Sequence, residues 1–251
     1  GFALIHPREN MHDYSVEHYK GKFYIASNKN AVNYRLMEVS TSAPYYQFWK
    51  EVIPHREDVM IKSFEPFDGC IAVEEKQNGD DKIAIYSFKL GEKYHVPVPD
   101  SDAAYTMNIS HNPDFKTEWM QYSFSSLKTP YSIYEINLKT KETRLIKRKE
   151  VPGGFEPANY TTEKILADAP DGKKVPISLL YKKGMVKNGN NPVYMIGYGA
   201  YGYSSSPYFN SNIFSLVDRG FVFAIAHIRG GDDMGKQWYY DGKMLKKKNS
   251  F

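Results

Sequence analysis

The sequence predicts two unlike parts: a partial β-propeller of about three four-stranded blades, then the N-terminal part of an α/β-hydrolase domain. Three observations carry this. A pair of alternating strands recurs about every 48 residues, as from Lys22 to Cys70 and from Cys70 to Trp119. The character of the chain changes at Val151-Pro152-Gly153-Gly154. After that point the order becomes hairpin, buried strand, glycine-rich loop, helix, strand.

In the first part each pair reads as a hairpin, with period-two alternation around a turn. Lys22–Ser27 is followed across Asn28-Lys29-Asn30 by Tyr34–Val39. Cys70–Glu75 is followed across Asn78–Asp81 by Lys82–Ser87, and Trp119–Phe124 by Ser132–Asn137 after a break containing Pro130. Val59–Phe64 and Glu142–Lys147 supply further strands, which brings each interval towards the four strands of a propeller blade. Pro97, Pro99 and Pro113 fall between strands, where a missing N–H costs nothing. A β-sandwich with coincidental spacing is the competing architecture. The 21 tyrosines in 251 residues suit half-buried strand faces under either.

Residues 153–251 read differently. Thr161–Ala167 and Lys174–Tyr181 form a hairpin across Pro170-Asp171-Gly172, in which Pro presets φ and Gly accepts φ > 0. Val193–Ile196 is a continuous apolar run, predicted to be a fully buried strand. Phe209, Ile213, Leu216 and Val217 recur at helical spacing before Asp218-Arg219-Gly220, and Phe221–Ala226 is a second buried strand. In an α/β-hydrolase sheet the loop after the third strand supplies an oxyanion-hole donor, and Gly197–Gly202 occupies that loop. Tyr198 offers a hydroxyl there on a short rigid arm.

Composition excludes several classes. A net charge of +4 with scattered basic residues gives no nucleic-acid stripe, and Lys246-Lys247-Lys248 reads as a solvated face. The longest apolar run, Phe221–Ile228, is far short of the ~20 residues of a membrane helix. Cys70 is alone, as in a reducing compartment, and its apolar neighbours make it core filler. The expected location is cytoplasmic. His6, His12, His18, His55, His95 and His111 fall among the blades and are expected to be structural or surface residues. No His/Cys/Asp cluster shows ligand spacing, so no metal and no cofactor is expected. The chain opens on Gly1-Phe2-Ala3 and ends on Phe251, and both ends look cut.

Tyr198-Gly199-Ala200-Tyr201-Gly202 resembles the Tyr-Gly-(Gly/Ser)-(Phe/Tyr) loop of the prolyl oligopeptidase family. His227-Ile228-Arg229-Gly230-Gly231 with Met234-Gly235 and Trp238 resembles the segment after its next strand. Asp218-Arg219-Gly220, Ala226-His227 and Gly154–Tyr160 are similar to the oligopeptidase B branch, and Lys248–Phe251 resembles the family's lead-in to the helix preceding the nucleophile strand. Ala200 replaces a common Gly or Ser, and Asp232-Asp233 stands where the branch has a Ser-Glu pair.

The resemblance implies a serine oligopeptidase acting on short peptides after Arg or Lys, with Tyr198 as oxyanion donor. Gly199, Ala200, His227 and Arg229 would contact substrate or support the loop. His227 could equally be purely structural, and Arg229 is expected to pair with Asp232 or Asp233 within its own loop. No Gly-x-Ser-x-Gly occurs, and Gly202-Tyr203-Ser204-Ser205-Ser206 lacks the second glycine. The Ser-Asp-His triad is therefore expected beyond Phe251, and this segment alone is expected to be inactive and to need the remainder of its chain. Two alternatives stay open: a non-catalytic propeller platform, and a Pro-specific oligopeptidase of the same family.

Overall fold

The computed structural model describes residues 4–88, 91–100 and 102–251; the opening Gly1-Phe2-Ala3 lies outside them. Three four-stranded antiparallel meanders come first. Blade one comprises β1 (Tyr14–Tyr19), β2 (Lys22–Ser27), β3 (Arg35–Ser40) and β4 (Lys50–Ile53). Blade two comprises β5 (Val59–Phe67), β6 (Cys70–Gln77), β7 (Asp80–Ser87) and β8 (Lys93–His95). Blade three comprises β9 (Tyr105–Ile109), β10 (Trp119–Ser126), β11 (Ser132–Asn137) and β12 (Thr143–Arg148).

The expected hairpins are the middle pairs of the blades, where alternation is strongest. In blade two the turn is tighter than Asn78–Asp81. Asn78 and Gly79 both have positive φ (53° and 79°), and pairing resumes at Asp80 opposite Gln77. Such a two-residue turn matches the strand twist.

Alternation assigns each strand face to a different neighbour. On β6, Ile71 and Val73 join Tyr24, Leu36 and Ile53 of blade one in one core. Cys70 and Ala72, pointing oppositely, join Met120, Tyr122 and Phe124 of blade three in another. Period two thus stacks the blades. Burial also raises the Cys70 thiol pKa to about 11, so it is an inert core residue as expected.

The fourth sheet contains β13 (Tyr160–Asp168), β14 (Lys174–Lys182), β15 (Val193–Gly197) and β16 (Val222–Ala226), in the order β13-β14-β16-β15. β14 pairs antiparallel with β16, and β15 pairs parallel with it. The crossover between β15 and β16 is a 3-10 turn, Ser211–Ile213, running into α1 (Phe214–Val217). A second short helix, α2 (Lys236–Tyr240), follows β16. Among the described residues no helix is long and apolar enough to cross a membrane.

Two expectations for this sheet need correction. The helix starts at Ser211, not Phe209, because Asn210 caps it: its side chain accepts from the Asn212 N–H at 3.1 Å. And β15 is not buried. It lies at the sheet edge, and Val193, Tyr194, Met195 and Ile196 are 40–55% exposed. A continuous apolar run shows that a strand suits burial, but not that the segment itself supplies the cover.

α1 packs Phe214 and Val217 on Leu180, Phe223 and Ile225, and Ala104 and Leu127 from beside blade three enter the same cluster. The hydrolase sheet and the third blade therefore share a core. Polar ties add to it: the Lys164 ammonium reaches Asp80 at 2.7 Å and the Asn78 carbonyl at 2.8 Å.

Candidate functional site

The chain leaves β15 at Gly197 and turns sharply. Tyr203 N–H donates to the Ala200 carbonyl at 3.0 Å, and Gly202 N–H to the Gly230 carbonyl at 2.9 Å. Tyr201 and Gly202 sit at φ 58° and 69°, the left-handed geometry such a turn needs. Gly199 is buried, and a Cβ on it would collide with the Arg229 carbonyl and lie 2.7 Å from Ile228 Cγ1. The Lys247 ammonium donates to the Gly199 carbonyl and to Ser250 Oγ, which in turn donates to the Arg229 carbonyl. The loop is held against the segments after β16 and α2.

Tyr198 projects from this frame. Its ring is 50% exposed and stands edge-on to Tyr203, with centroids 6.0 Å apart. Its hydroxyl has no hydrogen-bond partner among the described residues. Tyr203 lines an adjoining groove of about 320 Å³ with Tyr194, Ile196 and Phe223. The geometry is that of a free phenolic donor beside an open groove of mixed aromatic, aliphatic and polar lining.

Behind the loop, His227 ends up fully committed. Its Nε2 meets Ser178 Oγ at 2.7 Å, and its Nδ1 meets Asp233 Oδ1 at 2.9 Å. The Trp238 indole donates to the His227 carbonyl at 3.0 Å. Ser178, His227 and Asp233 thus have the connectivity of a nucleophilic triad, but they are 2%, 4% and 1% exposed. Ser178 lies mid-strand on β14, paired with Lys164 and Ile225, where no substrate carbonyl can approach. The trio fastens the segment after β16 to β14.

Arg229 does not pair as expected. Asp232 accepts from Ser204 Oγ at 2.6 Å and Asp233 is taken by His227. Arg229, 6% exposed, instead reaches the β13–β14 turn, binding Asp171 with both Nη atoms. Its Nε donates to the Asn249 carbonyl at 2.8 Å. The two carboxylates are already engaged by Ser204 and His227, and the Arg229 guanidinium is engaged by Asp171. The guanidinium holds the Asp171 carboxyl below its ordinary range.

So the structure gathers Tyr198, Gly199, Ala200 and Arg229 around one loop, with His227 behind it. Ser178 matches no motif in the sequence; Asp171, Lys247 and Asp233 read there as a turn residue, a solvated lysine and a partner for Arg229, whereas the fold sets them against Arg229, the Gly199 carbonyl and His227. Away from this loop the fold also brings together His6, Glu9 and His12, whose donor atoms lie within 4.8 Å of one another. Their even spacing along the chain was the available signal.

Comparison with known proteins gives the setting. The model of the prolyl oligopeptidase N-terminal β-propeller domain matches residues 1–149, and that of the prolyl oligopeptidase family matches 207–251. Dipeptidyl aminopeptidase BI of Pseudoxanthomonas mexicana is 38% identical over all of this chain, which covers 34% of that protein. A prolyl endopeptidase of Elizabethkingia meningoseptica is 30% identical over 91% of the chain and 31% of its own length. Oligopeptidase B from Trypanosoma brucei, solved with covalently bound antipain, superposes with a TM-score of 0.90 at 31% identity, over 98% of this chain and 36% of that one. The chain spans about a third of the length of these relatives. A propeller match over most of the sequence, continued by a hydrolase match after it, places the chain in the prolyl oligopeptidase family.

Proposed function

We propose that this chain is the junction segment of a serine oligopeptidase, with residues 1–152 belonging to the propeller and 153–251 opening the catalytic domain. In this reading a Ser-Asp-His triad lies in polypeptide after Phe251, and the Tyr198 hydroxyl binds the oxyanion that forms when the serine attacks. The observation that carries it is the unpartnered hydroxyl of Tyr198, projecting from a loop tied to Gly230 and Lys247. A donor fixed before the charge develops costs no reorganisation, and one such donor is worth roughly 2.7–4 kcal/mol.

The substrates are short peptides, cleaved after Arg or Lys, in the cytoplasm. The likeness to an oligopeptidase B supports the basic preference. No nucleic acid or membrane enters the reading, in keeping with the scattered charge. The segment alone carries no accessible serine–histidine pair among its described residues and is inactive in this account. A second reading, release of N-terminal dipeptides, is favoured by the 38% identical dipeptidyl aminopeptidase.

The test uses the full-length enzyme. Tyr198→Phe is expected to lower kcat by ~10²-fold or more with little change in KM; an unchanged kcat removes Tyr198 from the mechanism. Product sizes from Arg-containing, Pro-containing and free-amino-terminus peptides decide among endopeptidase, prolyl and dipeptidyl activity. Complete absence of cleavage favours a non-catalytic platform.

A further inference from the structure

The segment before β1 folds against the face of blade one turned away from blade two, on the cluster formed by Ile25, Met37, Val39 and Trp49. It is shaped by a turn, with Met11 at φ 62° and His12 N–H donating to the Glu9 carbonyl at 3.4 Å. Asn28 pins it, donating to the Met11 carbonyl at 3.0 Å and accepting from the Asp13 N–H at 2.8 Å. The turn faces two histidine side chains, 4% and 3% exposed, towards one carboxylate. His6 Nε2 lies 3.8 Å from Glu9 Oε1, and His12 Nδ1 lies 3.9 Å from Glu9 Oε2.

Both rings are set by their other nitrogen. The Pro7 carbonyl can only accept, so at 2.7 Å it fixes the proton of His6 on Nδ1 and leaves Nε2 with its lone pair when the ring is neutral. His12 Nε2 meets Ser27 Oγ at 2.9 Å, and that hydroxyl already accepts from the Lys29 N–H. His12 Nδ1 is buried with no hydrogen-bond partner among the described residues. A buried polar nitrogen without a partner is desolvated with nothing to compensate it. An imidazole whose second nitrogen is held by a carbonyl or hydroxyl is how proteins orient metal ligands.

We propose that His6, Glu9 and His12 form a zinc-class divalent cation site on the face of blade one turned away from blade two. Two imidazole nitrogens and one carboxylate oxygen make a three-ligand set, and the fourth position opens to water because the Glu9 side chain is 44% exposed. Zinc–ligand bonds of ~2.0–2.2 Å in a tetrahedron require donors about 3.3–3.5 Å apart. The 3.8 and 3.9 Å separations are to different Glu9 oxygens and all three donor atoms lie within 4.8 Å of one another, so turning the carboxylate and drawing the two rings together completes the set.

Lys29 is the resident competitor. Its ammonium binds both Glu9 oxygens, at 2.8 and 2.9 Å. It also stands 4.3 Å over the Tyr46 ring, which keeps a place for it when the carboxylate turns to a metal. The bound cation closes the segment leading into β1 on itself, while the His12–Ser27 hydrogen bond links that segment to the end of β2; the site does not depend on the peptidase reading.

The test is binding by the full-length protein. After stripping with a chelator, titration with zinc chloride is followed by calorimetry and by the shift in melting temperature. One zinc per chain is expected. Glu9→Gln and His12→Gln should each weaken it by at least about tenfold, and Ser27→Ala by about tenfold through loss of ring orientation. Lys29→Met should tighten binding, since it removes the competing cation; Glu9 and Lys29 are surface residues, so these two variants test the site even if His12→Gln fails to fold. No zinc uptake, or uptake unchanged in Glu9→Gln or in Lys29→Met, overturns the proposal. Peptidase activity plays no part in the readout, so this outcome and that of Tyr198→Phe are separable.

Discussion

Gly199 and Gly230 meet backbone against backbone: a Cβ on Gly230 would collide with the Gly199 carbonyl and lie 3.0 Å from the Gly242 oxygen. Three stretches of chain, after β15, after β16 and after α2, thus converge where only glycine fits. The position of Tyr198 depends on that convergence, because Gly199 is its immediate neighbour.

Gly230→Ala should therefore destabilise the protein by ~2–4 kcal/mol, from left-handed strain at φ 96° plus the collision. The comparison is Gly220→Ala, where φ is 91° but nothing lies within 4 Å, so only the strain of ~1–2 kcal/mol remains. Urea unfolding of both variants reads the difference. In the full-length enzyme Gly230→Ala should also lower kcat, since a displacement of about 1 Å at a catalytic donor can cost ~10²-fold; Gly220→Ala should not.

Ser178 tests the meaning of the buried trio. As a fastening residue, Ser178→Ala leaves His227 Nε2 without its 2.7 Å partner and should cost ~1–3 kcal/mol. Turnover by the full-length enzyme, measured well below the melting temperature, should be unchanged. Loss of kcat at full folding would make the trio part of the chemistry.

Glu75 gives a pH dependence. It is 1% exposed, and burial works to raise its pKa. The Arg56 guanidinium at 2.6 Å and the Tyr86 hydroxyl at 2.7 Å outweigh that and hold it below the ordinary 4.5. The unfolded chain thus binds this proton more readily than the folded one. The Glu75 contribution is complete above 4.5 and is lost as pH falls through the depressed value. Chemical denaturation between pH 7 and 3 should show a shallower acid loss in Glu75→Gln than in the unaltered protein. Equal slopes would refute the assignment.

Much of this architecture is legible in the sequence because period-two burial is local. Cys70–Val73 announces both of its cores through alternation alone. The outer strands are less evenly legible: Thr143–Arg148 shows as a strand although it is exposed throughout, whereas Lys93–His95, three residues long, shows no apolar face. At the site, Tyr198 and Gly199 are readable because the loop chemistry is contiguous. Arg229 is misread because its partner, Asp171, lies 58 residues away, and sequence proximity favoured Asp232 and Asp233 instead. The His6–Glu9–His12 cluster is missed because its convergence depends on a single left-handed residue, Met11.

Asn33 should report how firmly the two parts are joined. It is 2% exposed in the turn between β2 and β3, and all its polar atoms are used. Its amide donates to the Glu57 carbonyl at 2.7 Å and the Arg56 carbonyl at 3.2 Å, while its oxygen accepts from the Lys236 N–H at 2.9 Å. Gly235, at φ 94°, is shaped around it: a Cβ there would lie 2.9 Å from Asn33 Oδ1. Asn33→Ala strands one donor and two acceptors and should cost ~1–3 kcal/mol. Asn33→Asp keeps the bond to Lys236 but sets a carboxylate oxygen against two carbonyls, so at neutral pH it should be the worse variant and should recover partly as the pH is lowered. Hydrogen exchange locates the effect. Loss of protection in both the β2–β3 turn and residues 228–240 is expected, because one side chain serves both; loss confined to blade one would show that the hydrolase segment holds its place without Asn33.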